Sequence, residues 1–295
     1  MLLKRLIDRG IAMLSDLYPS REALEIVYAC LENCLGTQRH THIVYPEFEV
    51  TEENVNLVMS DFCRLAEGEP LQYVTGVAYF YGREFRVTPA TLIPRPETEL
   101  LCRMAVEAAA KPAPRVLDLC TGSGCIAWTL ALELPQSEVV AVDLSDGALE
   151  VASSQNFADE IQQTGAHAPT FIKADVLAAD LPAVLSSQCG ENKFDLLLSN
   201  PPYVMDSEKA LMRKNVLDHE PHMALFVPDC DPLLFYRAVA DRAVEFLSLD
   251  GTGIVEINEA LGEETAEIFR SRGFSRAEVV KDLYEKDRFV RFAWK

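Results

Sequence analysis

The stretch that decides the fold is Arg115-Val-Leu-Asp-Leu-Cys-Thr-Gly-Ser-Gly124. Its first half, residues 115–119, is a short apolar run typical of a buried strand. A tight glycine loop follows, and the apolar segment 126–134 then predicts a helix that Pro135 stops. Strand, glycine loop and helix together form the first part of a βαβ unit.

Strand–helix alternation continues from this stretch toward the end of the chain. Ser145 is placed to cap a helix, and further helices are expected near 233–247 and 263–272. This alternation predicts an α/β domain built on a mostly parallel sheet. The later strands are expected at residues 138–142, 170–174, 194–199, 253–257, 277–280 and 288–292.

The N-terminal quarter has a different pattern. Apolar residues recur at helical spacing after Ser20, a predicted N-cap, and again after Thr51, with Gly68 ending the second helix. Residues 75–92 resemble a β-hairpin with its turn near Gly82. We therefore predict a helical substrate-recognition domain at 1–74, a hairpin connector at 75–92 and the α/β domain at 93–295.

Composition restricts the class of protein. Hydrophobic residues make up 49% and charged residues 25%, as in ordinary globular proteins. No apolar run approaches the roughly 20 residues of a membrane helix, and residues 1–9 lack a signal-peptide core. We expect a cytoplasmic protein without membrane association. The net charge of −19 opposes binding to DNA or RNA; it would attract a basic protein partner or serve solubility alone.

The cysteines and histidines give no metal-binding pattern. Eight cysteines are scattered without a C-x-x-C pair, which indicates the reduced thiols of a cytosolic protein. His219 and His222 stand three apart beside Asp218 and Glu220, but no further ligand pair accompanies them. We therefore predict no metal site.

Acidic residues lie on or after the first three strands of the α/β domain. Residues 122–127 fit G-x-G-x-x-[GA], so binding of a dinucleotide is one alternative. Asp118, however, would repel a pyrophosphate and suits a ligand with an ammonium group, such as S-adenosylmethionine. Asp143 is placed to accept from both ribose hydroxyls, and Asp175, with Val176, to meet the adenine. The sequence favours S-adenosylmethionine.

The fourth strand ends in Asn200-Pro201-Pro202-Tyr203. The Asn200 side chain offers an acceptor and a donor, and the carbonyls of Pro201 and Pro202 have no neighbouring N–H to compete with them. Pro202 also forces Pro201 into an extended conformation, and Tyr203 adds a flat ring. These features form a clamp for a planar NH2 group; a strand end followed by a polyproline-like turn is the alternative.

The segment Ile93-Pro-Arg-Pro-Glu-Thr-Glu99 precedes a helix that is expected to continue to Pro112, with Pro96 in its first turn. We assign Arg95 and Glu97 to substrate binding. The alternative is a helix start with a favourable acidic first turn.

These motifs resemble a class I S-adenosylmethionine-dependent methyltransferase. The fuller set resembles the PrmC/HemK family of protein-glutamine N5-methyltransferases, which act on peptide chain release factors, and the resemblance covers essentially the whole chain. The sequence departs from the family at Cys120, where many members have Gly, and at Val176, where some have Trp. The fuller set adds residues 70–76 (PLQYVTG), 93–99 (IPRPETE), Glu220-Pro-x-x-Ala-Leu225 and the ending Lys281-Asp-Leu…Asp287-Arg288.

The resemblance implies a Rossmann-like, seven-stranded, mostly parallel sheet, with a small N-terminal helical domain joined by a β-hairpin. It implies methylation of the Gly-Gly-Gln glutamine of class I release factors, leaving S-adenosyl-L-homocysteine. Apart from the resemblance, we expect a monomer that does not bind nucleic acid directly. The cofactor residues would be Asp118, Cys120, Thr121, Gly122, Ser123, Gly124, Asp143, Asp175, Val176 and Asn200. The catalytic residues would be Asn200, Pro201 and Tyr203, and the substrate-binding residues Asn200, Pro201, Pro202, Tyr203, Arg95 and Glu97.

An amide nitrogen is a poor nucleophile, because its lone pair is delocalised into the carbonyl. We expect Asn200 Oδ1 and the Pro201 carbonyl to accept one N–H each and so orient that nitrogen, with Tyr203 packing against the amide or the sulfonium. Two other classes stay open. One is an adenine or cytosine amino methyltransferase of nucleic acid, and the other is a non-catalytic binding module that kept the fold.

Overall fold

The structure is a computed structural model that describes residues 1–190 and 193–295. Its helices are α1 Leu3–Leu14, α2 Ser20–Leu35, α3 Thr41–Val44, α4 Glu52–Ala66, α5 Leu71–Thr75, α6 Thr98–Ala108, α7 Cys125–Glu133, α8 Asp146–Ser153, α9 Ala158–Thr164, α10 Leu181–Cys189, α11 Lys214–His219, α12 His222–Leu225, α13 Leu234–Phe246 and α14 Gly262–Ser271, with a 3₁₀ helix at Asp206–Leu211. Its strands are β1 Val77–Phe80, β2 Arg83–Arg86, β3 Arg115–Leu119, β4 Glu138–Asp143, β5 Thr170–Lys173, β6 Phe194–Ser199, β7 Val204–Met205, β8 Phe226–Val227, β9 Leu247–Glu256, β10 Arg276–Lys281 and β11 Asp287–Ala293.

The chain divides into two compact units. Unit one comprises Met1–Val77 together with Met212–His219, and unit two comprises Ala78–Leu211 together with Glu220–Lys295. Unit one therefore combines the N-terminal 77 residues with a segment from much later in the sequence.

Unit one is helical, with α1, α2 and α4 packed around a common apolar core. Gly10 allows α1 to approach closely, since a Cβ there would lie 2.7 Å from the Phe62 ring. Thr51 caps α4 by accepting from the Asn54 N–H at 3.4 Å. The predicted N-cap Ser20 is instead the first residue of α2. The N-cap is Pro19, which has an extended backbone, so the helix starts one residue earlier than predicted.

Unit two is built on one twisted sheet. Within the described residues this main sheet has seven strands, in the order β10-β11-β9-β6-β3-β4-β5. The strands from β9 to β5 are parallel to one another. Strand β11 is antiparallel to both of its neighbours, β9 and β10. The seven-stranded, mostly parallel sheet predicted from the sequence is confirmed.

Helices cover both faces of the main sheet. Alternate residues of each strand point to opposite faces, so each central strand contributes side chains to two cores. Leu117 and Leu119 of β3 pack in one core with residues of α13 and α14. Val116 of the same strand packs in a second core with residues of α6 and α7. With both faces buried, the central strands are apolar almost throughout.

The strand β9 is longer than the sequence indicated, beginning at Leu247 instead of residue 253. Asp250 and Gly251 interrupt its apolar pattern, so the sequence marked only its buried second half. Gly253 is required there, since a Cβ would lie 2.0 Å from the Phe292 ring on the neighbouring β11.

The hairpin of β1 and β2 has its turn at Tyr81 and Gly82, as predicted. Both residues have positive φ, 50° and 73°, the combination that a two-residue hairpin turn requires. Among residues 1–190 and 193–295, every helix is too short or too polar to span a bilayer.

Candidate active site

The loops that follow β3 and β6 lie side by side at the carboxyl edge of the main sheet. In the parallel register of these strands, Leu119 is the partner of Ser199, and the Ser199 hydroxyl donates to the Leu119 carbonyl at 2.8 Å. The chain order reverses at this point, since β3 leads to β4 and β5 on one side and β6 leads to β9 on the other. Open α/β sheets bind ligands at such a reversal.

A cavity opens at this edge, and most of the predicted site residues line it. They are Arg95, Cys120, Thr121, Gly122, Ser123, Asp143, Asp175, Val176, Asn200 and Pro202. Five others lie outside the lining: Glu97, Asp118, Gly124, Pro201 and Tyr203. Lining residues that were not assigned to the site include Thr98 and Ala224, which lie in two of the quoted motifs, and Ala90, Thr91, Leu92, Met223 and Phe235.

Asp118 is fully buried beneath the glycine loop. It accepts a hydrogen bond from the Thr121 hydroxyl at 2.6 Å. Burial raises the pKa of the Asp118 carboxyl to about 7, although the bond from Thr121 opposes this. A cation next to the loop would favour the ionised form, so this carboxyl suits a positively charged ligand.

Asp143, the last residue of β4, holds the loop from the other side. Its carboxylate accepts from the backbone N–H of Gly122 at 2.8 Å and of Ser145 at 2.9 Å. Burial raises its pKa, while these backbone bonds act in the opposite direction. Each carboxylate oxygen has two acceptor sites, so Asp143 can still accept from hydroxyl groups of a ligand.

The glycine loop owes its shape to left-handed backbone conformations, with φ of 63° at Cys120, 56° at Gly122 and 78° at Gly124. Gly124 is also close to its neighbours, since a Cβ there would lie 3.0 Å from Ala152 Cβ. Cys120 occupies a conformation that favours glycine, at the position where this sequence departs from the resembled family.

Asp175 and Val176 follow β5 and complete the far end of the cavity. Asp175 accepts from the Leu177 N–H at 2.8 Å through one oxygen, Oδ1. Val176 is 5% exposed and belongs to the core that contains Leu117 and Leu119. An acceptor beside an apolar wall suits the amino group and ring of a purine.

Asn200 is the first residue after β6, and its side chain is tied to two residues that the sequence did not single out by themselves. Its Nδ2 donates to Thr98 Oγ1 at 3.2 Å, and the Thr98 hydroxyl donates to Glu256 Oε2 at 2.7 Å. Thr98 is 2% exposed and Glu256 1%. Burial raises the pKa of Glu256, while its hydroxyl donors lower it. In the sequence, the only indication that Thr98 belongs to the site was its position in the quoted segment 93–99.

Tyr203 belongs to the same network and does not line the cavity. Its hydroxyl donates to Glu256 Oε1 at 3.1 Å, and its backbone N–H donates to the Leu225 carbonyl at 3.2 Å. Burial raises the pKa of this phenol well above its usual value, with the Glu256 charge adding to the effect. In this structure, the ring therefore supports Glu256 instead of forming the cavity wall.

Arg95 joins two segments of the cavity wall through Glu220. Arg95 Nη2 lies 2.7 Å from Glu220 Oε1, and the Ile93 N–H donates to Glu220 Oε2 at 3.2 Å. Glu220 is only 4% exposed. The helix α6 starts at Thr98, directly after Glu97. Pro96, which was expected in the first helical turn, therefore lies two residues before the helix.

A cluster of possible metal ligands lies away from this cavity, in unit one. One ligand atom each from Cys30, Cys34 and Asp61 lie within 4.8 Å of one another. The Cys34 thiol donates to Asp61 Oδ2 at 3.1 Å, and burial raises the pKa of both thiols, which favours their protonated form.

Comparisons with known proteins agree with this geometry. Residues 5–76 match a family model described as the PrmC N-terminal domain, and residues 97–219 match one described as the methyltransferase small domain. Among solved structures, the hMettl16 catalytic domain in complex with a MAT2A 3′UTR hairpin superposes with a TM-score of 0.53, at 12% identity over 83% of each chain. At that identity, the similarity concerns the fold alone.

Curated relatives match almost from end to end. The release factor glutamine methyltransferase of Flavobacterium psychrophilum is 36% identical over 298 residues, 99% of each chain. That of Bacteroides thetaiotaomicron is 38% identical over 279 residues, 94% of this chain and 95% of the relative. With its class I methyltransferase fold, this chain belongs to the release factor glutamine methyltransferase family.

Proposed function

We propose that this chain transfers the methyl group of S-adenosyl-L-methionine to the side-chain amide nitrogen, N5, of the glutamine in the Gly-Gly-Gln motif of class I peptide chain release factors. The observation that carries the proposal is the position of Asn200. Its amide lines the same cavity as the glycine loop and Asp143, so an NH2 acceptor and a cofactor cradle share one site.

The residues of the cavity fit the cofactor. The glycine loop lines the cavity with Thr121, Gly122 and Ser123, and Asp143 retains acceptor sites for the two ribose hydroxyls. The buried Asp118 suits the cationic methionine portion through the loop, and Asp175 with Val176 suits the adenine. When bound, the cofactor supplies an electrophilic methyl group on a sulfonium.

The protein side of the reaction consists of binding and orienting the amide. Asn200 Oδ1 and the Pro201 carbonyl accept one N–H each, and Pro202 has no N–H to compete. Holding both hydrogens directs the nitrogen lone pair toward the methyl group and stabilises the charge that develops on nitrogen. Tyr203 acts through Glu256, while Arg95, Glu97 and Pro202 border the path of the substrate peptide.

The same proposal extends to organisation and location. Residues 1–74 would recognise the release factor, 75–92 would connect, and 93–295 would carry the reaction, with 212–219 belonging to compact unit one. We place the protein in the cytoplasm as a monomer that does not bind nucleic acid directly, in keeping with its net charge of −19.

The deciding experiment is transfer of a labelled methyl group from S-adenosylmethionine to a purified class I release factor. A Gly-Gly-Ala release factor serves as the matched control, and DNA and RNA are tested in parallel. Label on the Gly-Gly-Gln protein alone supports the proposal. Label on nucleic acid, or on the control protein equally, contradicts it.

A further inference from the structure

The side chain of Asn200 is bound in a chain of hydrogen bonds that ends in a buried carboxylate. Asn200, Thr98 and Glu256 form this chain, which we call the amide relay, with distances of 3.2 and 2.7 Å. The three residues come from distant parts of the sequence: the end of β6, the start of α6 and the end of β9.

The direction of each hydrogen bond in the amide relay follows from counting donors. Ionised Glu256 can only accept, and its second oxygen already accepts from the Tyr203 hydroxyl at 3.1 Å. Thr98 has a single hydroxyl proton, which it gives to Glu256. Toward Asn200, Thr98 Oγ1 can therefore only accept, and it must face the NH2 end of the Asn200 amide.

The orientation of the Asn200 amide fixes which atom meets a ligand. With Nδ2 held by Thr98, Oδ1 is the end that remains for the cavity. A flipped amide would place Oδ1 against the lone pairs of Thr98 Oγ1 and lose the hydrogen bond. Each oxygen of Glu256 accepts from a hydroxyl, Oε2 from Thr98 and Oε1 from Tyr203. This geometry sets the direction of the amide relay, while Arg288 and the two hydroxyls oppose the effect of burial, which raises the pKa of Glu256.

We infer that Thr98 and Glu256 are positioning residues that lock Asn200 as a hydrogen-bond acceptor and so select a substrate bearing an NH2 group over one bearing a carboxylate. The inference rests on the proposed function and names the device that sets its specificity. Glutamine offers one N–H to the locked Oδ1 and the other to the Pro201 carbonyl, whereas ionised glutamate offers only acceptors, which Oδ1 repels.

Thr98→Val tests the amide relay with little change of shape, since valine replaces the hydroxyl by a methyl group. We expect kcat to fall about tenfold, the factor that corresponds to one ordinary hydrogen bond, with the Kd for S-adenosylmethionine within twofold of the parent. Thr98→Ser keeps the hydroxyl and should restore kcat to within about threefold. An equal loss in both variants would assign Thr98 to packing alone and overturn the inference.

Thr265→Val is the matched control. Thr265 lies in α14, fully buried, and its hydroxyl has no hydrogen-bond partner among the described residues. The same substitution there removes a buried hydroxyl outside the cavity, so kcat should stay within twofold. A comparable fall in this control would show that loss of any buried hydroxyl lowers kcat.

Inhibition by a Gly-Gly-Glu release factor measures directly how strongly the site prefers glutamine over glutamate. The ratio of its Ki to the KM of the Gly-Gly-Gln protein should drop about tenfold in Thr98→Val, because a freed Asn200 amide can turn its NH2 toward the carboxylate. A ratio that does not change would refute the role of Thr98 in selection.

An NMR measurement keeps this inference separate from the proposed function. The side-chain NH2 signals of Asn200, assigned by their absence in Asn200→Ala, should shift in Thr98→Val and stay near their original positions in Thr98→Ser. This readout needs no turnover. Lack of methylation by the parent protein would refute the proposed function, whereas unshifted signals would refute the amide relay.

Discussion

Asp118 is the residue whose chemistry depends most on its surroundings. Burial raises its pKa from an ordinary value of 3.8 to about 7. Between these two values the folded protein holds a proton that the unfolded chain has released, so the free energy of unfolding falls as pH rises through this window. Above pH 7 the charge is buried at full cost unless a cation is bound nearby.

Asp118→Asn should therefore gain stability relative to the parent as pH rises. Asparagine stays neutral, so the difference in free energy of unfolding should move in its favour by about 2–3 kcal/mol between pH 5 and pH 8. Denaturant unfolding at both pH values measures it. The same variant should bind S-adenosylmethionine more weakly at pH 8; a pH-independent difference would contradict the raised pKa.

Asn200 and Asp143 should separate catalysis from cofactor binding. Asn200→Ala removes the NH2 acceptor, and we expect methyl transfer to fall by at least about 100-fold with cofactor affinity nearly unchanged. Asp143→Ala removes both the ribose acceptor and the brace of Gly122, so the Kd for the cofactor should rise first, by about tenfold or more. Calorimetric titration and single-turnover rates measure the two effects. Equal loss of both properties in Asn200→Ala would assign that residue to the cofactor or the fold.

Single residues were predictable where an acid or an amide stands at a strand end. Asp143, Asp175 and Asn200 stand at such positions and line one cavity, while the roles assigned to them stay predictions. Glu256 also ends a strand, but it is only 1% exposed. Its partner Thr98, at the start of α6, is 158 residues away in the sequence. Contacts over such separations carry no local pattern, so the amide relay required the structure.

At the scale of elements, the glycine loop makes a prediction about close approach. A Cβ at Gly124 would lie 3.0 Å from Ala152 Cβ and 3.2 Å from Trp128 Cδ1, whereas Gly122 has nothing within 4 Å of that position. Both have positive φ, so both alanine variants suffer backbone strain, and only Gly124→Ala adds crowding. We expect a loss of about 1 kcal/mol for Gly122→Ala and about 2–4 kcal/mol for Gly124→Ala.

Thermal or denaturant unfolding of the two glycine variants tests this difference, with the Kd for S-adenosylmethionine as a second readout. Equal stability of the two would mean that the helix α7 shifts away from α8 without cost.

The elements themselves were largely visible in the sequence. The strands β3 and β6 have the predicted bounds, and Ser145 caps α8 by accepting from the Ala148 N–H at 3.2 Å. Buried parallel strands are continuous apolar runs, which makes them recognisable. The first half of β9 was missed because it carries Asp250 and Gly251, and the order of strands depends on pairing that no single segment encodes.

For the whole molecule, the net charge of −19 predicts a response to salt. Mutual repulsion among the acidic groups destabilises the compact state, and salt screens it over a Debye length of about 10 Å at 0.1 M. The Tm should rise by a few degrees between 0.02 M and 0.3 M NaCl, as measured by calorimetry. Sucrose of equal osmolality is the control, and a Tm that falls with salt would show that ion pairs outweigh the repulsion.

The division of the chain into units also has a consequence for how the protein can be cut. The polypeptide passes between units one and two at three places, after Val77, after Leu211 and after His219. A protease that cleaved only near residue 78 would divide unit one, because Met212–His219 would stay on the other fragment. Gene fusion or truncation at that single boundary would likewise separate the two chain segments of unit one.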